Sequence, residues 1–167
     1  MGDIKNLSGT AAVEKLKELA ESNVCLFSTY EDDKIVSRPM ATLKVDEQGY
    51  LWFLSDKNSV KNDQILSDNR VYLMYSNTSK AHFLSVYGYA EVVFDRSKVD
   101  ELWTPIAKAW FEDGKDDPDL SIIKVKTQDA HYWDTKDGKV VSTIKIAVAA
   151  ITGNHNDDGG VDGDIKV

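Results

Sequence analysis

Apolar positions recur at three- and four-residue steps between residues 10 and 21, at Val13, Leu16, Leu19 and Ala20, with lysines and glutamates on the opposite side. That spacing predicts an amphipathic helix with one stripe against a core, and Ser8 and Thr10 offer capping hydroxyls near its start. The period then changes. Residues 24–30 have the composition of a strand, and Glu31-Asp32-Asp33-Lys34 makes a polar turn after it. Residues 35–45 alternate, with Arg38, Met40, Thr42 and Lys44 on one face and Pro39, Ala41, Leu43 and Val45 on the other. Gln48-Gly49 then turns the chain into residues 50–55, which are apolar on both faces, as expected inside a barrel wall. A short helix over 59–68 is expected to turn Ile65 and Leu66 inward.

Further strands are expected at 71–75 and 83–94. The second is long enough to bend round a barrel, with Leu84, Val86, Ala90, Val92 and Phe94 on one face and Gly88 placed for a bulge or close backbone approach. Val99, Leu102, Trp103 and Ile106 mark another helical stripe, followed by a polar loop over 112–119 and a strand pair over 120–133. Many strands with few helices predict an α+β fold built on a mostly antiparallel β-barrel. Residues 140–152 are apolar and Ala-rich, with Gly153 where a C-cap would stand, and predict a terminal helix. The β-branched Val140, Val141, Thr143 and Ile144 keep a strand in competition. Beyond Gly153 the chain becomes Asn, Asp and Gly, which bring few apolar atoms to offset ordering entropy. The expected organisation is one domain over 1–153 and a mobile acidic tail over 154–167.

Composition narrows the class. Twenty Lys and Arg against 28 Asp and Glu give a net charge of -8, which repels a polyanion and disfavours nucleic acid as a partner. An anionic small molecule needs only two or three local donors and stays open. The single cysteine, Cys25, lies in an apolar run and reads as a core thiol. No stretch has the length of a signal peptide's apolar region or of a membrane span, so a soluble cytoplasmic protein is expected. His82, His131 and His155 have no metal-ligand spacing, and no metal is expected. Residues 154–165 imitate a calcium loop in part, but Ile165 stands where a bidentate Glu is needed.

The segment richest in chemistry is Ser55-Asp56-Lys57-Asn58-Ser59-Val60-Lys61, where a strand gives way to a helix and two hydroxyls and two lysines stand within seven residues. A helix N-terminus with free N–H groups, serine hydroxyls and a lysine suits a phosphate; ordinary helix capping by Ser59 is the plainer reading. Arg38, on the neighbouring strand, must be paired or solvated, by a ligand anion or by one of the many acids.

The ordered set Arg38-Pro39-Met40, Leu51-Trp52-Phe53-Leu54-Ser55 with Lys57, Ser59 and Lys61, and Val86-Tyr87-Gly88-Tyr89-Ala90 resembles the FMN-binding split barrel of pyridoxamine 5'-phosphate oxidase-like proteins. Leu102-Trp103, Trp110-Phe111, Asp117-Pro118-Asp119-Leu120 and Ala130-His131-Tyr132-Trp133-Asp134 resemble its general stress protein branch. The resemblance spans residues 7–153. It implies a homodimer with two flavin sites at the subunit interface, FMN or FAD as cofactor, and the isoalloxazine against the strand carrying Arg38, Pro39, Met40 and Thr42. Phe53 and Leu54 would line the ring, and Ser55, Ser59 and Lys61 would hold the phosphate. Val60 replaces a basic residue of the oxidases proper, with Lys57 the nearest substitute. Trp52, Trp103, Trp110 and Trp133 each read as core or interface packing before flavin stacking, with Trp110 the candidate for a ring contact.

The family's final substrate-docking segment has no counterpart in the sequence, so true pyridoxamine phosphate oxidase activity is not expected. The resemblance implies a flavin-dependent oxidoreductase working with a small-molecule redox partner, the cofactor carrying the electron chemistry. A non-catalytic carrier or stress sensor for a flavin or heme-like ligand, and a dimeric module that has lost its cofactor, are the alternatives.

Overall fold

A computed structural model of the chain describes residues 3–111, 113–135 and 160–167. Two short strands, β1 (Asp3–Ile4) and β2 (Leu7–Ser8), lead into helix α1 (Gly9–Ala20). Its predicted stripe is buried through Ala12, Val13, Leu16, Leu19 and Ala20. Then come β3 (Val24–Glu31), β4 (Lys34–Ala41), β5 (Lys44–Val45), β6 (Tyr50–Asp56), α2 (Val60–Ser67), β7 (Arg70–Asn77), β8 (His82–Val93), α3 (Arg96–Leu102), β9 (Leu120–Thr135) and β10 (Gly160–Lys166). Short 3₁₀ turns, Pro105–Ala109 and Gly114–Asp116, fill the connection from α3 to β9.

Strands β9, β8, β7, β3 and β4 follow one another as antiparallel neighbours. The chain then bends at Thr42-Leu43 into β5, which pairs β6, and β6 pairs the first half of β9. That bend brings the wall round to its starting strand and makes an α+β split barrel, as expected. Inside it lie Phe27, Leu51, Phe53, Val71, Leu73, Val86 and Val125, with Leu16 of α1 in the same cluster. Helix α3 covers a second apolar patch around Trp52, Leu120 and Ile122 through Val99 and Leu102. Among the described residues no helix is long and apolar enough to cross a membrane.

Several expectations are corrected. The strand pair over 120–133 is one 16-residue strand. Its irregularity is a bulge, where Tyr87 opposes Asp129 and Gly88 opposes Thr127, so that Gln128 is the extra residue. At Gly88 a β-carbon would sit 2.3 Å from the Lys126 carbonyl oxygen, so only glycine permits this approach. Leu66, expected inward, is 75% exposed; in so short a helix Asn62, Gln64 and Ile65 fill the buried side. Phe94 lies past the end of β8 and faces outward. The tail is ordered from Gly160: β10 pairs antiparallel with β9 and parallel with β1 and β2, and Ile165 is buried. Main-chain pairing here supplies what side-chain burial does not. The helix predicted over 140–152 lies outside the described residues. Cys25 is buried as a core thiol, its pKa pushed up to about 12 by burial.

Candidate functional site

Strand β4 alternates strictly, with Val36, Arg38 and Met40 half-buried and Ile35, Ser37, Pro39 and Ala41 exposed. Its register against β3 sets Arg38 opposite Phe27, so the guanidinium lies over the inner end of β3 and against α2. There Nη1 donates to Thr29 Oγ1 at 2.6 Å and to the Phe27 carbonyl at 3.4 Å, while Nη2 donates to Gln64 Oε1 at 2.9 Å. Each acceptor is uncharged. Burial draws the Arg38 pKa below its ordinary value, and Glu31 opposes this from a distance.

At the start of α2, Ser59 stands at the N-cap position, yet its hydroxyl makes no capping bond to the helix backbone. It accepts instead from Lys61 Nζ at 2.9 Å and lies 3.3 Å from Ser55 Oγ. The plain capping reading of Ser59 therefore does not hold. Ser55 is buried at the end of β6 and donates to Asn62 Oδ1 at 2.8 Å; Asn62 Nδ2 donates to the Ser121 hydroxyl at 2.9 Å, and that hydroxyl to the Ser55 carbonyl at 3.1 Å. This closed set of bonds among buried groups fixes the strand–helix junction. Lys61 is pulled below the ordinary lysine value by burial first and by the Arg38 charge second, with Asp56 acting the other way. Two cations thus sit close enough to feel each other, and among the described residues neither has an ion-pair partner. Such a pair beside two hydroxyls and an uncapped helix start fits a phosphate.

The structure gathers Arg38, Ser55, Ser59 and Lys61 and leaves other expected residues apart. Lys57 turns away to Asp119 at 2.8 Å and to the Pro118 carbonyl at 3.0 Å. Phe53 is fully buried edge-on to Phe27, centroids 5.2 Å apart, inside the barrel. Thr42 is fully buried and bonds Tyr75 Oη at 2.6 Å. Met40 packs against the barrel core and Leu54 against the α3 patch. Trp110 is 80% exposed. Pro39 lies on the opposite face of β4 from Arg38, along an open groove of about 1030 Å³ lined also by Leu26, Ile35, Met74, Phe83 and Trp133. Thr29, Gln64, Asn62 and Ser121 belong to the junction and were not singled out from the sequence. Only Gln64 carried a signal, three residues past Lys61 on the same helix.

Fold and junction define a split β-barrel with a cationic, hydroxyl-bearing strand–helix corner. Residues 11–157 match the family described as pyridoxamine 5'-phosphate oxidase like, and the chain belongs to that family. Protein bli-3 of Neurospora crassa is 31% identical over 153 residues, covering 84% of this chain and 73% of that protein. General stress protein 26 of Bacillus anthracis superposes with a TM-score of 0.65 at 22% identity, over 72% of this chain and 92% of that one. The general stress FMN/FAD binding protein of Xanthomonas citri superposes with a TM-score of 0.64 at 26% identity, over 74% and 87%.

Proposed function

We propose that this protein binds FMN through its phosphate at Arg38, Lys61, Ser59 and Ser55, and serves as a flavin-dependent oxidoreductase for a small molecule. The observation that carries the reading is the pair of cations Arg38 and Lys61, without an ion-pair partner among the described residues, beside a helix whose N-cap side chain makes no capping bond. A terminal phosphomonoester carries up to two charges on one phosphorus and matches two cations there. Each phosphate of the FAD pyrophosphate carries one, which makes FMN the better fit and FAD the second choice. The name of the Xanthomonas citri relative agrees with a flavin of either kind. Bound flavin supplies hydride or electron transfer; the residues of this chain anchor it and hold charge beside it.

The same reading includes a homodimer, and the apolar groove supports that part. Ile35 is 62% and Leu26 51% exposed on a sheet face that also carries Met74, Phe83 and Trp133, a contiguous run of exposed apolar side chains of the kind that marks a contact surface. A second copy covering that face would bring its own residues to the β4 edge, where the flavin ring is placed.

Titration with FMN, followed by quenching of flavin fluorescence, tests the site. The expected result is saturation near one flavin per chain, with Arg38→Ala and Lys61→Ala each weakening affinity roughly tenfold or more. Unchanged affinity in both variants sinks the site. Oxidation of NADH or NADPH faster than with free FMN marks the enzyme; tight binding without it marks a carrier.

A further inference from the structure

Arg38 would be a poor anion ligand if an acid already held it, and a poor one again if nothing held it at all. The structure resolves this with uncharged acceptors, of which Gln64 joins Arg38 to α2. We propose that Gln64 is the positioning residue of the site: it fixes the Arg38 guanidinium with an uncharged oxygen and so leaves the whole positive charge to the ligand. The inference rests on the phosphate reading of Arg38 given above.

Gln64 is buried on the inner side of α2. Its Oε1 accepts two bonds, from Arg38 Nη2 at 2.9 Å and from the Thr29 hydroxyl at 2.6 Å. Thr29, fully buried, accepts in turn from Arg38 Nη1 at 2.6 Å. The three side chains close a small ring of hydrogen bonds, Arg38 to Thr29, Thr29 to Gln64 and Arg38 to Gln64. The ring also settles the amide's orientation, because a flipped Gln64 would turn its NH₂ toward the guanidinium.

Counting donors shows what the ring leaves free. A guanidinium has five N–H bonds. Nη1 uses its two on Thr29 and the Phe27 carbonyl, and Nη2 uses one on Gln64. Because Thr29 and Gln64 are bonded to each other, they sit together at the Nη1–Nη2 end. What remains is Nε–H and the Nη2–H parallel to it, the edge that grips two oxygens of one phosphate. Gln64 thus aims the fork as well as holding it.

The choice of amide over carboxylate is the testable part. Gln64→Glu keeps the size of the side chain and both accepted bonds, and adds a negative charge against Arg38. If Gln64 only supported the fold, this change would be harmless or stabilising. The inference expects a folded variant with an equal or higher melting temperature, FMN affinity lowered roughly 30-fold or more, and riboflavin affinity within about threefold of the parent. Gln64→Met, which keeps the volume and removes the oxygen, is expected to weaken FMN roughly tenfold with riboflavin again unchanged, and provides the test should the glutamate variant not fold. Equal FMN affinity in either folded variant overturns the role of Gln64 while leaving the flavin reading intact.

Should the parent ignore FMN, the flavin reading fails by itself. Inorganic phosphate then reads the cluster through the melting temperature. Stabilisation of the parent but not of Gln64→Glu upholds the inference; equal shifts in both, or none in either, overturn it.

Discussion

Two lysines with part-buried ammonium groups divide the work of this molecule. Lys15 on α1 meets Glu18 and Asp134, each at 2.7 Å, and its pKa rises because those acids outweigh the burial that opposes them. Lys61 has burial and Arg38 against it and, among the described residues, no acid in contact, and its pKa falls. A lysine whose folded pKa lies below its unfolded value binds fewer protons in the folded state through that interval. Stability then rises as pH climbs from the folded pKa toward the ordinary lysine value, and below both the charged group is a standing cost. Lys61→Met is therefore expected to raise the melting temperature of the ligand-free protein at neutral pH by roughly 1–3 °C. It should also flatten the alkaline rise in stability, while FMN binding weakens. Thermal melts from pH 7 to pH 10 check this, and a lowered melting temperature would assign Lys61 to structure instead. Arg38, Ser55, Ser59 and Lys61 could be singled out in the sequence as candidates because hydroxyls and a lysine cluster where a strand meets a helix, next to a strand that carries an arginine. Thr29 and Asn62 could not be, since a buried threonine and a helical asparagine take their meaning from the β3–β4 register and from which side of α2 faces the barrel.

Helix α1 and strand β3 were legible to within one or two residues, α1 because burial on one side imposes its period and β3 from its composition. Elements held by main-chain pairing were not. Strand β10, Gly160–Lys166, offers Asp, Gly and Val where a strand would be expected to show apolar alternation, yet it fills the gap between β9 and the N-terminal strands. Lys5 N–H donates to the Asp162 carbonyl at 2.7 Å, Asp164 N–H to Asn6 Oδ1 at 2.9 Å, and Tyr132 Oη to the Lys5 carbonyl at 2.8 Å. Gly163 is the position this packing depends on: a β-carbon there would lie 2.1 Å from the Lys5 carbonyl oxygen, a backbone atom that cannot swing aside. Gly163→Ala is expected to cost about 2 kcal/mol or more and to separate β1 and β2 from β10. Hydrogen exchange should then show the Lys5 amide losing its protection with little change at Leu73 in the barrel. Unaltered protection at Lys5 would mean that the N-terminal strands are held by something else.

At the scale of the whole molecule the described residues close the barrel's core and leave one of its walls uncovered. Inward positions of β3, β7 and β8 are Cys25, Phe27, Leu73, Leu84 and Val86, all buried, whereas the outward Val24, Leu26, Met74 and Phe83 are apolar as well. A sheet facing water on one side normally alternates apolar with polar residues; here the outward positions mix Val24, Leu26, Met74 and Phe83 with Ser76 and Ser85, a concentration of apolar groups that the sequence alone did not attribute to a second surface. Continuity of the outer face from Ile35 on β4 to Trp133 on β9, along the groove of about 1030 Å³, fits an extended flat partner better than a small ligand. A second copy of the chain offers the same wall, and a two-fold arrangement lets each apolar surface cover the other. Sedimentation equilibrium should therefore give twice the mass of the chain at micromolar concentration. Leu26→Glu with Met74→Glu, outward changes that leave the core untouched, should give a folded monomer, because the paired carboxylates would be driven into a dry contact. If the flavin ring lies at that interface, the same variant binds FMN more weakly although Arg38 and Lys61 are intact. A monomer with undiminished FMN affinity would place the whole site within one chain, and a variant still dimeric would move the interface off this wall.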